Sequence, residues 1–219
     1  MRNIRVFFEK KDECKYISHL DLNRVMLRAV GKSRLPIWRT EGFNQHAYIT
    51  FALPLSLGFS SDCESMDFRL LDDEMALGQI PSLLNACLPK GIRVTGCKEA
   101  KHKPAEIDSA LYEMTLTSDN ISTEELYSAF DEMLGCDEIA VEKKTKKGFK
   151  TINLKEYIIR CDYSVLNDGV RVSITLPAGS VTNINPTLYV SALEKRAGAE
   201  IDADIYRRGI YVKDGADFE

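Results

Sequence analysis

The sequence predicts an α+β protein built from two tandem split βαβ sandwiches with antiparallel sheets. Three observations predict it. Stretches of strand period and helix period follow one another as strand, helix, strand, strand, helix, strand over the first hundred residues. A polar, aperiodic stretch with a proline, AKHKPAEIDSA (100–110), then reads as a linker. Beyond it the same order returns with one extra strand. The 219 residues are enough for two lobes, 1–100 and 110–219, since a chain of this size buries about 70% of the surface its unfolded form exposes.

Each element has a local reason. IRVFFEK alternates as a strand does. KYISHLDLNRVMLRAVGKSRLP carries a helical stripe at Leu22, Val25, Met26 and Ala29, with Ser18 as N-cap, Asp21 three residues on, and Gly31 and Pro36 at the exit. Strands follow at 47–53 and 65–71, a helix in DDEMALGQIPSLLNACLP despite Gly78 and Pro81, and a strand in GIRVTGCKEA. After the linker come a strand in ALYEMTLTS and a helix in ISTEELYSAFDEML, opened by the Ser122–Glu125 capping box. Strands in EIAVEKK, TINLKEYIIRCDYS and VRVSITLP precede a helix between Pro186 and Gly198, and DIYRRGIYVKD ends the pattern. Each lobe is thus ferredoxin-like, with both helices on one sheet face and the other face left available.

Composition narrows the class. The chain is 44% hydrophobic and 28% charged, with no apolar run near the length of a membrane span. Its N-terminus has too few apolar residues before Glu9 for a secretory signal, so a cytoplasmic location is expected. Cysteines 14, 63, 87, 97, 136 and 161 form no CxxC pair and no cluster-binding loop, and read as reduced structural thiols. The net charge of −4 is uneven: residues 1–39 hold ten Lys or Arg against four acids, leaving the remainder at −10. A basic segment of this kind either steers a polyanion to one face or is a solvated helix surface.

The candidate ligand residues come from the helix start and from the turn in RTEGFNQHAYITFALPLSLG. His19 follows the N-cap, where free backbone donors and the positive helix end suit an anion. Asp21, Arg24 and Arg28 lie off the apolar stripe, either as a surface ion-pair ladder or as a phosphate-facing edge. In the turn, Gly42 supplies a positive φ, Asn44 caps, and Phe43 is expected to anchor the loop by packing. Arg39 precedes it, and His46 alternates with Tyr48 and Thr50 on one face, opposite Ala47, Ile49 and Phe51. Brought together, His19 and His46 can serve as acid and base; apart, they orient a ligand or bond structurally. A metal site drawn from His19, His46, Asp21 and Cys14 lacks any ligand spacing, and the P-loop, dinucleotide and GxSxG motifs are missing, so no cofactor and no catalytic residue is assigned. In the second lobe Lys143, Lys144, Lys146, Lys147 and Lys150 crowd a hairpin tip, able to neutralise roughly three phosphates. KGF there resembles the start of an RNP1 strand, but Lys150, Thr151 and Leu154 replace its stacking residues.

These segments bring a family into view. SHLDLNRVMLRAV, LPIWRTEGFNQHAYITFALPLSLG and the strand with Glu64 and Asp67 are similar in order and spacing to the radical-SAM-linked bacterial domain of unknown function; KKTKKGFKTINLKEYI and GSVTNINPTLYVSAL match more loosely. Gln45 and Ala47 stand where that family more often has prolines. The resemblance implies an accessory role beside a radical SAM protein with a cobalamin-binding region, and implies no catalytic residue. Tandem ferredoxin-like lobes also occur in CRISPR repeat-processing endonucleases and tRNA pseudouridine synthases, which hold RNA on basic surfaces. The expectation is a non-catalytic RNA-binding accessory protein of that radical SAM partner. Its alternatives are an RNA-processing enzyme using His19 and His46 and a protein-interaction module docking the partner.

Overall fold

The computed structural model describes residues 1–145 and 148–219 and divides them into two compact units, Met1–Ile107 with Arg207–Glu219, and Asp108–Tyr206. The first unit contains β1 (Arg2–Lys10), α1 (His19–Ser33), β2 (Ile49–Phe51), β3 (Ser60–Leu70), α2 (Ile80–Asn85) and β4 (Ile92–Glu99). β1 pairs antiparallel with both β3 and β4, and β2 with β3, giving the order β4-β1-β3-β2 of a split βαβ sandwich. α1 begins where Ser18 accepts from the Asp21 N–H and ends at Arg34 in the left-handed region. Its buried residues, Leu22, Met26, Ala29 and Val30, follow the predicted stripe shifted toward the C-terminal turn. Leu22, Met26 and Val30 join Ile4, Val6 and Phe8 of β1, Met66 and Phe68 of β3, and Ile80 and Leu84 of α2 in one core, so both helices cover one sheet face.

The second unit repeats the order. β5 (Ile107–Thr117), α3 (Thr123–Gly135), β8 (Arg160–Leu166), β9 (Gly169–Pro177) and α4 (Thr187–Ala197) lead to β10 (Asp202–Val212), with sheet order β10-β5-β9-β8. The extra strand is in fact an inserted hairpin, β6 (Ala140–Thr145) with β7 (Gly148–Asn153), forming its own two-stranded sheet. α3 opens on the complete capping box, Ser122 receiving the Glu125 N–H while Glu125 receives that of Ser122. Gly198 ends α4 at φ +65°, a left-handed cap that favours glycine.

The α+β reading with tandem ferredoxin-like units holds; several boundaries differ. The sequence puts lobes at 1–100 and 110–219, whereas residues 207–219 return to the first unit. β10 supplies 202–206 to one unit and 207–212 to the other, and no local signal marks a strand shared in this way. Most of the expected linker, through Ile107, also belongs to the first unit: Ala100 donates to the Asn3 carbonyl, and Lys101 and His102 donate to that of Glu219. β3 starts at Ser60 rather than 65, because its polar start is buried by tertiary contacts. The second helix is only Ile80–Asn85, since Asp72 folds 72–75 into a turn by accepting from Glu74 and Met75, and Pro81 suits a first helical turn. The long strand predicted at 151–164 is split by a turn over Leu154–Tyr157, where Asn153 accepts the Lys155 N–H.

Candidate functional site

The sequence-derived residues form two groups. At the start of α1, His19 is exposed and its ring meets Phe51 edge-on at 5.0 Å. Asp21 receives the Ser18 hydroxyl at 2.7 Å and Arg24 at 2.8 Å, which holds its carboxyl below the ordinary range. Arg24 is therefore engaged in an exposed surface ion pair. Arg28 is exposed one turn on.

The turn forms the second group and largely satisfies itself. Arg39 donates to the Gln45 carbonyl at 2.9 Å, and the Thr40 N–H donates to the His46 carbonyl at 2.9 Å. His46 Nδ1 lies 3.1 Å from the Asn44 carbonyl, and Gly42 has the positive φ expected of it, +112°. Phe43 does not anchor the loop: it is fully exposed at the tip. Phe51 lies on the core side of its strand against Phe8, while His46, Tyr48 and Thr50 are exposed on the alternate side. The two imidazoles thus stand on opposite faces and form no acid–base pair.

A concave surface of the first unit lies beside the turn. On the sheet face opposite the helices, a cavity of about 270 Å³ is lined by Asn3, Tyr48, Thr50, Asp67, Arg69 and the segment 100–104. Cross-strand register builds its floor, since Thr50 and Arg5 both face Asp67, and Asn3 faces Arg69. Arg5 is wholly buried and grips Asp67 through two 2.7 Å bonds, a bidentate charge-assisted pair. The guanidinium also donates to the His102 carbonyl at 2.9 Å and lies 3.8 Å over the Phe218 ring. Above this floor Tyr48, 44% exposed, is braced edge-on by Trp38 at 5.6 Å, and Trp38 in turn carries the Arg69 guanidinium at 5.3 Å. Arg69, Lys101 and Lys103 are exposed around the rim. Of these, the sequence named none as a ligand residue: it placed Tyr48 and Thr50 on one face with His46, and Asp67 entered only through the family resemblance; the periodicity of 46–50 was the usable signal. Arg5, Arg69, Lys101 and Lys103 carried none, because a strand cation and a linker lysine look alike in any soluble chain.

The N-terminal positive charge does not gather into one patch. Arg5 and Lys10 are buried, and Arg2, Lys11 and Arg24 pair with Glu99, with Glu9 and Asp62, and with Asp21. Burial pushes the Lys10 ammonium below the usual lysine range. The Cys63 thiol is pushed up to about 12, chiefly by desolvation, which makes it an inert structural thiol. Among the described residues no group of three or more His, Cys, Asp or Glu is placed to hold a metal, and no helix is long and apolar enough to cross a membrane. In the second unit Lys143 and Lys144 lie on β6, and Lys150, exposed, lies on β7 opposite Lys143; Lys146 and Lys147 are outside the described residues.

Fold and site together define a tandem ferredoxin-like α+β protein with a polar, cation-rimmed cavity on one sheet face. The chain belongs to the family described as an uncharacterized protein conserved in bacteria (DUF2344), whose model matches residues 3–186. No curated protein matches it. Among solved structures it is similar to a chain in a Cbf5-Nop10-Gar1 complex, at 7% identity and TM-score 0.51. That alignment covers 96% of this chain and 50% of the other, so this chain spans half the length of that relative and shares its fold alone. An unknown protein from Galdieria sulphuraria aligns over 94% of this chain and 98% of its own at 13% identity and a TM-score of 0.27.

Proposed function

We propose that this protein is a non-catalytic accessory that binds RNA through the open sheet face of its first unit and presents it to a radical SAM partner. One observation carries the reading: Trp38, Tyr48 and Arg69 form a braced ladder of aromatic and cationic groups beside a cavity rimmed by Lys101 and Lys103. Aromatic faces set among cations on a β-sheet suit single-stranded nucleic acid, with stacking for the bases and positive charge for the backbone. Arg39, Asn44 and His46 flank this face on the turn that leads into Tyr48; His19, Asp21, Arg24 and Arg28 lie on the helix side, where Arg24 is paired with Asp21, and take no part in this face. The lysines of the β6–β7 hairpin are the second phosphate-holding element. The partner assignment rests on the resemblance to the radical-SAM-linked domain.

A filter-binding titration with single-stranded RNA at two salt concentrations tests the reading. The log–log salt slope is expected near −2 for roughly three neutralised phosphates, and a charge-reversed hairpin, Lys143→Glu with Lys150→Glu, flattens it. Absence of binding at low salt, or binding indifferent to salt, overturns the proposal. In that event, co-purification of a protein partner through nuclease treatment identifies a docking module instead.

A further inference from the structure

We infer that the open-face cavity of the first unit is a pocket for one unpaired nucleobase, inserted against Tyr48 with its polar edge toward Thr50 and Asp67. This deepens the RNA-binding reading and rests on it. The volume of about 270 Å³ is slightly below the ~300–1,000 Å³ of drug-sized sites, leaving room for one ring system rather than a folded segment. Tyr48 offers a π surface, and its edge-on contact with Trp38 fixes that surface before any ligand arrives. Little ordering cost is then left for binding.

The floor explains how an acidic residue can belong to an RNA site. A lone carboxylate under a polyanion would repel it, yet Asp67 is neutralised from below by Arg5, which is inaccessible and committed to the pair. Asp67 itself stays 21% exposed and lines the cavity. A carboxylate has about four acceptor sites, and the Arg5 clamp takes two of them. The remainder accept from a base N–H without presenting net negative charge. The Thr50 hydroxyl beside it and the Asn3 amide donate or accept as the base requires. Arg69, Lys101 and Lys103 stand where the flanking phosphates leave the pocket. A paired base shows neither its face nor its pairing edge, so the pocket selects unpaired strands.

Fluorescence anisotropy with labelled eight-nucleotide RNAs tests the inference on the intact protein. An all-base single strand is expected to bind at least tenfold tighter than the same backbone made abasic, and tighter than an eight-base-pair duplex. Tyr48→Ala reduces affinity for the base-bearing strand by about 5- to 150-fold, the range of one lost stacking contact. Tyr48→Phe retains it, and neither change moves the abasic strand. Equal binding of abasic and intact strands, with salt dependence kept, overturns the base pocket and leaves the phosphate reading standing. Duplex binding as tight as the single strand also overturns it. Failure of every RNA to bind removes both. The abasic comparison uses the unaltered protein, so it decides even where a variant folds poorly.

Discussion

The two units share an element order and a sheet order, yet they fill their interiors with different chemistry. Among the described residues every buried polar or charged side chain except Ser109 lies in the first unit: Arg5, Lys10, Ser60, Ser61, Glu64, Ser65 and Arg207. Arg207 clamps Glu64 through Nε at 3.0 Å and Nη2 at 2.5 Å, and donates to the Leu53 carbonyl at 2.8 Å. Lys10 donates nearby to the carbonyls of Lys15 and Ile17. The second unit relies on apolar residues such as Met114, Phe130, Ile174 and Leu193, with the Tyr189 hydroxyl donating to the Leu154 carbonyl at 2.8 Å. A buried ion pair adds little net stability over an apolar core but is costly to break by halves. In the first unit the returning segment brings Arg207 to Glu64 and to the carbonyls of Leu53 and Pro54, so its buried charge is fully engaged.

The largest test of this contrast is Arg207→Met, which leaves Glu64 buried without its clamp. It is expected to destabilise the first unit by about 3–5 kcal/mol. Trp38 is the chain's single tryptophan and lies in the first unit, so its fluorescence in a urea titration reports that unit specifically. A loss under about 1 kcal/mol would mean the pair does not define the unit. Tyr189→Phe is the counterpart in the second unit and strands only one carbonyl, at about 1–3 kcal/mol. Circular dichroism should show that loss while Trp38 fluorescence stays unchanged at low urea.

Helix caps sharpen the comparison from the other side, since they act locally. Ser18→Ala and Ser122→Ala should each cost about 1 kcal/mol, in Trp38 fluorescence for the first and in circular dichroism for the second. Unequal costs would show that the full box at Ser122 outweighs the Ser18–Asp21 arrangement. The smallest effect is in pH. Hydrogen bonds from Arg93 and then Lys11 hold Glu9 below the ordinary 4.5. A depressed carboxylate contributes stability that is fully present above 4.5 and is lost as pH falls through its lower folded value. The urea midpoint read from Trp38 should therefore drop in that acid window, and Glu9→Gln should flatten the drop.

The parts of the fold that were readable are those whose causes sit close together in the chain. The Ser18 cap, the stripe on α1, the Ser122–Glu125 box and the Gly198 stop each depend on groups within a turn or two. The start of β3 was not readable, because SSDCES has the composition of a loop and its strand partners are distant: it pairs with β1, and Arg207, 143 residues from Glu64, clamps that carboxylate. The site divides the same way. The alternation of His46, Tyr48 and Thr50 was visible as a period of two, and the acid–base pairing of His19 with His46 was not testable from it, since each lies on an element whose facing depends on the sheet.

By itself the sequence determined the repeated order of strands and helices, their caps and turns, and the exposed face of the 46–50 segment, because hydrogen bonds and side-chain periods of local range decide them. Tertiary structure alone decided which cations are buried, that 207–219 closes the first unit, and that Arg5 neutralises Asp67 beneath Tyr48. Those outcomes depend on the desolvation of charges brought together from distant positions, and a charged residue carries no local mark of whether its partner will be water or another ion.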